Sequence, residues 1–562
     1  MSHAMTPQLA ALVTKHESTL NAALNAIKTR DYWTPYPENP SPRAYGETAN
    51  ADGEAAFKSY LNQSFALEMP GIVGEAGAEV SPYGIDLNVK YPLVDLGQLL
   101  PAMQDARKAW RDVGPQGRAA ICLEILERIN KRSFEIGYAV MHTSGQGFMM
   151  AFQAGGPHAQ DRGLEAVAYG YTAMMHTPQS AVWTKPQGKH DPLVLNKTFT
   201  TVGRGIGLVI GCSTFPTWNT YPGMFADLIT GNPVVVKPHP AAILPAAISV
   251  KIAQDVLTEN GLPAHIVSMV IDEDGSKPAT AELATREEIK LIDFTGNTPF
   301  GNWLESNCTQ AQVYTEKAGV NTIVIDSTDD YKGMLRNLAF TLSLYSGQMC
   351  TTPQDIFVSK DGIETDLGHK TFDDVAGDLA TAVSKFLSDP ERAAMVLGAI
   401  QAPVTAERIE NSVTLGTVLR ESETLVHPHF PNARVRSPLL MSIDADKADT
   451  YMQELFGPIS FVVKTDSTAH SIALATDAVK QHGAITLGCY THNEHIQEQV
   501  EEAAIDGGVA LSSNLTGGVF VNQSAAYSDF HATGCNPAAN ACLSDLAYVA
   551  NRFRVVQSRR HA

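Results

Sequence analysis

The chain has 562 residues, too many for a single hydrophobic core, so two or more domains are expected. Its hydrophobic fraction of 44% and charged fraction of 18% exclude a disordered chain and fit a soluble globular protein. The formal charge of −19 argues against nucleic acid as a partner, because that binding rests on basic patches, but leaves room for a local phosphate site.

Residues 1–95 read as an N-terminal extension. A helical pattern of Leu9, Leu12, Leu20 and Leu24 leads into a proline-rich stretch at 34–43, and a second breaker-rich stretch runs over 81–92. The first residues carry no signal-peptide pattern, and no apolar run approaches the ~18 residues needed to span a bilayer. From about 97 the pattern turns helical, with Ala106 and Trp110 on one face and Ile121, Ile125 and Ile129 on another. After about 200, short apolar strands bounded by Gly, Pro or Asn alternate with helical segments. They are 205–211, 232–238, 265–271 and 289–296, with a helix at 241–261 that Gly261 closes. That rhythm implies α/β architecture, a parallel sheet with both faces covered and ligands beyond the carboxyl ends of its strands. It resumes after 320–326, suggesting a second α/β domain, and 553–560 reads as an edge strand.

At 294–301 a strand enters a tight turn at Gly296, where Asn297 or Thr298 can cap a helix whose free N–H groups would bind a pyrophosphate. The spacing is not GxGxxG, so a plain strand–turn–helix junction remains open. Lys237 ends another strand and could reach ribose hydroxyls or a 2′-phosphate. Pro240 stands where a carboxylate would grip the ribose, which favours a 2′-phosphate ligand. Cys350, Glu316 and Asn219 supply a thiol, a carboxylate and an amide, the groups needed to attack a carbonyl, activate water and hold an oxyanion. The seven cysteines are odd in number and show no metal-ligand spacing, so neither a disulfide framework nor a metal site is expected, and a reducing, cytoplasmic setting fits best. The six cysteines other than Cys350 need only burial to explain them. His427 and His429 read as a loop.

Taken in order, Trp218-Asn219, Lys237-Pro238, Thr295-Gly296-Asn297, Glu316-Lys317-Ala318-Gly319, Gly347-Gln348-Met349-Cys350 and Glu454-Leu455-Phe456-Gly457-Pro458 resemble the motifs of the aldehyde dehydrogenase superfamily over roughly 97–562. The extension and the stretch 527–541 are similar to the PaaN-type members of phenylacetate degradation. The chain departs from the family pattern at Thr217, Lys317, Ala318, Asn297 and Pro240.

The resemblance implies a Rossmann-type cofactor domain (96–180 and 201–315), a catalytic domain (316–548) and oligomerisation strands (181–200 and 549–562) in a homo-oligomer, dimer or tetramer. It implies Cys350 as nucleophile, Asn219 as oxyanion donor and Glu316 as the base that hydrolyses a thioester. It further implies cofactor contacts from Trp218, Lys237, Pro238, His239, Thr295, Gly296, Asn297, Gly301, Glu454 and Phe456. The cofactor is expected to be NADP, with NAD as the other choice, and the substrate a small aldehyde, in this narrower group a CoA-linked ring-opened semialdehyde. His531 lies in the narrower match, with a channel-lining role, a CoA contact and plain packing all open. A CoA-acylating enzyme and a non-catalytic scaffold are the alternatives.

Overall fold

The computed structural model describes residues 6–273 and 278–562. A five-stranded sheet sits in its first half. Val267–Met269, Val234–Lys237, Ile206–Ile210, Ile289–Thr295 and Gln312–Glu316 lie side by side in that order, all parallel. Each is a short β-branched or apolar run, and the Ile206 and Val234 strands are buried throughout, as a sheet covered by helices on both faces requires. The chain builds outward from the Ile206 strand on one side, then crosses to the Ile289 strand on the other. The crevice for a ligand opens at that reversal, beyond the carboxyl ends of these two strands.

The helix Leu244–Glu259 ends at Asn260, and Gly261 follows with a left-handed φ of 71°. Its first N–H groups are already used. Glu79 of the extension accepts from Leu244 N at 3.0 Å and also from Ile243 N. The extension is thus part of the body. Its helix Pro7–Thr29 packs on Gly114–Lys131 and Ala159–Met175, and Glu124 of the former binds Lys15 Nζ at 2.6 Å and His16 Nε2 at 2.8 Å.

A second sheet of seven strands fills the other half. Its order is Thr417–Arg420, Leu439–Asp444, Ile459–Thr465, Pro353–Ser359, Asn321–Ile325, Thr486–Tyr490 and Ala510–Ser513, parallel except at the Thr417 edge. The first sheet ends at Glu316 and the second begins at Asn321, so Glu316 stands at their junction. A third, antiparallel sheet joins Ser180–Gln187, His190–Gly203 and Phe553–His561. Its outer strands are almost wholly exposed, and they carry Val182, Trp183, Val555 and Val556 on the surface. Arg552 roots it. Fully buried, the guanidinium donates to Asp227 Oδ1 at 2.8 Å and to both oxygens of Asp293 at 2.7 and 2.5 Å. No helix among the described residues is long and apolar enough to cross a membrane.

Candidate active site

Cys350 lies in a turn just before the central Pro353–Ser359 strand. The backbone leading to it is held in an unusual shape: Tyr345, Ser346 and Gly347 have φ of 53°, 49° and 63°. Left-handed geometry at two non-glycine residues costs energy and persists only where neighbours fix it. Here they do. Ser346 Oγ donates to Arg436 O at 2.9 Å, Tyr345 OH to Ser144 O, and Gln348 Nε2 to Ala399 O at 3.1 Å, while Gln348 Oε1 accepts from Gln401 N at 2.9 Å. A Cβ on Gly347 would meet Gly457 O at 2.5 Å, so this glycine lets the Glu454–Pro458 segment lie against the turn.

Around Cys350 stand three polar side chains from distant parts of the chain. Glu316, 3% exposed at the end of its strand, accepts from Asn219 Nδ2 at 3.5 Å. His531 Nε2 lies 3.2 Å from Glu316 Oε1 and 3.8 Å from Cys350 Sγ. Burial pushes the Cys350 thiol well above its usual range, and the adjacent Glu316 charge pushes it further. Burial also acts to raise Glu316, but His531 outweighs it and holds the carboxyl below its ordinary value; a hydrogen bond from Cys350 adds to that. At rest, then, the site holds a neutral thiol against an ionised carboxylate.

Two cavities meet at Cys350, and Asn219 and Phe215 also face both. One, of about 470 Å³, is lined by Trp33 and Tyr36 of the extension together with Trp218, Phe340, Phe520 and His531. The other, of about 960 Å³, follows the carboxyl ends of the first sheet from Lys237 and Asp272, past Thr295 and Gly296, to Glu316 and Glu454. Its volume and position fit a dinucleotide. The lining offers an acceptor for a ribose hydroxyl: Asp272 Oδ1 is buried with no partner among the described residues, while its Oδ2 takes a 2.7 Å bond from Lys237 Nζ. Asn297 caps the helix Thr298–Asn307 by accepting from Phe300 N at 3.0 Å. Burial pushes Glu454 up to about 7.

Lys237, Pro238, His239, Thr295, Gly296, Asn297, Glu454 and Phe456 all line this second cavity. Two residues expected there do not. Trp218 turns into the first cavity, its ring 4.6 Å from that of His531, because the amide of the next residue, Asn219, takes the position facing Glu316. Gly301 lies on the buried side of its helix, where a Cβ would strike Lys317 Cγ at 2.6 Å, so it serves packing. Lys237 is 2% exposed and ion-paired, not a free strand end. The remaining cysteines are not all buried: Cys535 is exposed, and Cys212 borders the second cavity with Sγ 3.5 Å from Asn219 Oδ1. Asp272 and Cys212 escaped the sequence reading; the only signal was that each closely follows a buried strand.

A cysteine set between an aromatic-rich cavity and a nucleotide-sized groove suits an oxidoreductase, and comparison with known proteins agrees. The aldehyde dehydrogenase family profile matches residues 91–517, and the chain belongs to that family, with its α/β fold. The crystal structure of an NAD-dependent aldehyde dehydrogenase from Burkholderia multivorans superposes with a TM-score of 0.97 at 56% identity, covering 100% of both chains. A 1-pyrroline-5-carboxylate dehydrogenase from Bacillus licheniformis is 22% identical over 86% of this chain and 92% of its own length. A lactaldehyde dehydrogenase from Methanococcus maripaludis is 22% identical over 51% of this chain, which spans 59% of that relative.

Proposed function

We propose that this protein oxidises an aldehyde to the carboxylic acid through a covalent intermediate on Cys350. The observation that carries the reading is the position of the thiol: it faces both cavities, with Glu316 and Asn219 beside it. The thiolate attacks the carbonyl carbon, a C–S bond forms, and the carbonyl electron pair moves to oxygen. Asn219 Nδ2 and a backbone N–H near Cys350 hold that oxyanion. A bound nicotinamide supplies the acceptor for the hydride, and the carbon is left as a thioester. Glu316 then takes a proton from water, whose oxygen displaces the sulfur and releases the acid.

For the cofactor we favour NAD. The case for NADP was the missing acid at Pro240, but Asp272 brings a carboxylate to Lys237 instead. A 2′-phosphate would meet that charge, whereas a ribose hydroxyl would satisfy the unpartnered Oδ1. Asp272→Ala is expected to narrow an NAD preference by ~10-fold or more, and NADP preferred by the unaltered protein would reverse the assignment.

For the substrate, the PaaN-type resemblance supports a CoA-linked semialdehyde. A second reading, a simple apolar or aromatic aldehyde, is favoured by the cavity lining, which includes no Lys or Arg for CoA phosphates. Exposed apolar residues on the third sheet support its pairing with a second copy in a homo-oligomer. Seven free cysteines fit a cytoplasmic setting.

The test is a matrix of NAD and NADP against CoA-linked and simple aldehydes, followed by reduced-cofactor absorbance. Glu316→Gln should leave a burst of reduced cofactor and slow the steady state. Turnover that stops without free CoA would select the acylating alternative; no reduction with any aldehyde would remove the enzyme reading.

A further inference from the structure

We propose that His531 is a catalytic residue, the base that takes the Cys350 proton before attack, with Glu316 stabilising the imidazolium that results. The proposal rests on the reading of Cys350 as nucleophile. Its ground is convergence: Cys350 Sγ, His531 Nε2 and a Glu316 oxygen lie within 4.8 Å of one another, brought from three separate stretches of chain.

A histidine that merely fills space has no need to aim a ring nitrogen at a thiol and a carboxylate. This ring is also fixed. It is 3% exposed and stands edge-on to Trp218, at 75°. Its backbone pairs both ways with Leu543, at 3.3 and 2.9 Å. The loop before it is tied to the helix Ala159–Met175. Arg162 donates to Asp529 O at 2.9 Å and to Ser524 Oγ at 3.1 Å, and Glu165 Oε1 accepts from Tyr527 N at 3.0 Å. Arg30 of the extension donates to Ser528 O at 3.1 Å. Positioning a side chain through so many ties is what a preorganised site requires.

The site needs such a base. A half-buried thiol beside an ionised carboxylate does not readily release its proton unaided. His531 Nε2 is the ring nitrogen that faces the thiol, 3.8 Å from Sγ. An imidazole is matched to the task near neutral pH. In the step, the S–H bond breaks, an Nε2–H bond forms, and the electron pair stays on sulfur. The new N–H faces Glu316 Oε1 at 3.2 Å. When the thioester is cleaved, the proton returns to sulfur. The titratable and charged groups around the ring are Glu316 and Cys350 directly, Arg162 at 5.5 Å from the Trp218 ring, and Glu38, His158, Asp161 and Asp529 further along the cavity.

The experiment follows carbamidomethylation of Cys350 by iodoacetamide in the full chain, with peptide mass spectrometry. It runs from pH 5 to 10 with a chelator present and without aldehyde or cofactor. His531→Gln keeps a polar side chain beside Glu316 but cannot accept a proton. The expected result is a fall of ~10²-fold at pH 7 and a midpoint displaced upward. Labelling at the unaltered rate across the range would overturn the proposal and leave His531 a packing residue. Glu316→Gln, with His531 intact, gives an independent reading. The proposal requires slower labelling at pH 7, because the imidazolium loses its partner; loss of a negative charge beside the thiol would by itself speed it, and faster labelling overturns the proposal. Neither measurement depends on aldehyde turnover, so failure of the functional reading stays distinguishable from failure of this one.

Discussion

The two cavities that meet at Cys350 are built in different ways. The groove proposed for the cofactor is made mostly of strand ends and the turns that follow them. The other cavity joins Trp33 and Tyr36, from one end of the chain, to Phe520 and His531, from the other. The first is set by sheet topology, which many chains share; the second is set by contacts between segments far apart in the chain. Chemistry common to a class can therefore sit on one side and selectivity on the other, with the Cys350 thiol between them.

The largest effect should come from the residue that belongs to both. Cys350→Ser is expected to lower kcat by ~10⁴-fold or more, with cofactor affinity unchanged by fluorescence titration. A variant that also lost cofactor would mean the two sides are not separable. Next is Asn219, which also faces both cavities. Asn219→Ala should lower kcat by ~10²–10³-fold with little change in KM, as removal of one oxyanion donor does. A change confined to KM would assign the amide to holding Glu316 instead.

Trp33 tests the substrate side alone. It is only partly buried and meets Tyr527 edge-on, with ring centroids 5.2 Å apart. Trp33→Ala should raise KM for an apolar aldehyde by ~10–100-fold, consistent with the loss of a few kcal/mol of apolar contact, and leave cofactor affinity alone. Equal KM for apolar and small polar aldehydes before and after the change would deny the extension any part in selectivity.

Legibility followed the same division. The strands of the first sheet could be read because burial on both faces writes them as unbroken apolar runs between breakers. Thr295–Asn297 could be located for the same reason. Side-chain direction could not. Trp218 and Asn219 are neighbours, yet only Asn219 also faces the second cavity, and Gly301 follows the Thr295–Asn297 turn but packs against Lys317. Lys237 looked like a free strand end because its partner lies 35 residues on, after another strand. His531 meets Glu316 across 215 residues, and Arg30 meets Ser528 across 498. Such pairs leave no local period or spacing to read. The buried Arg552 cluster escaped for that reason too, since its acids are donated by two other elements.

Glu454 is the smallest lever and isolates the cofactor side. Burial raises its carboxyl from an ordinary 4.5 to about 7. Two pH effects of opposite sign follow. Without cofactor, the folded chain binds more protons here than the unfolded one between those values. Its stability contribution is therefore full below 4.5 and is lost as pH rises through 7. Binding runs the other way, because only the ionised carboxylate accepts well from ribose hydroxyls. Cofactor affinity should improve a few-fold from pH 6 to 8. Glu454→Gln should flatten both curves: the fall in Tm across this range, by calorimetry, and the rise in affinity, by titration. A flattened Tm curve with an unchanged affinity curve would place Glu454 in packing and remove it from the cofactor groove's chemistry. The Trp33→Ala variant should leave the pH dependence of both untouched, since Glu454 does not line the Trp33 cavity.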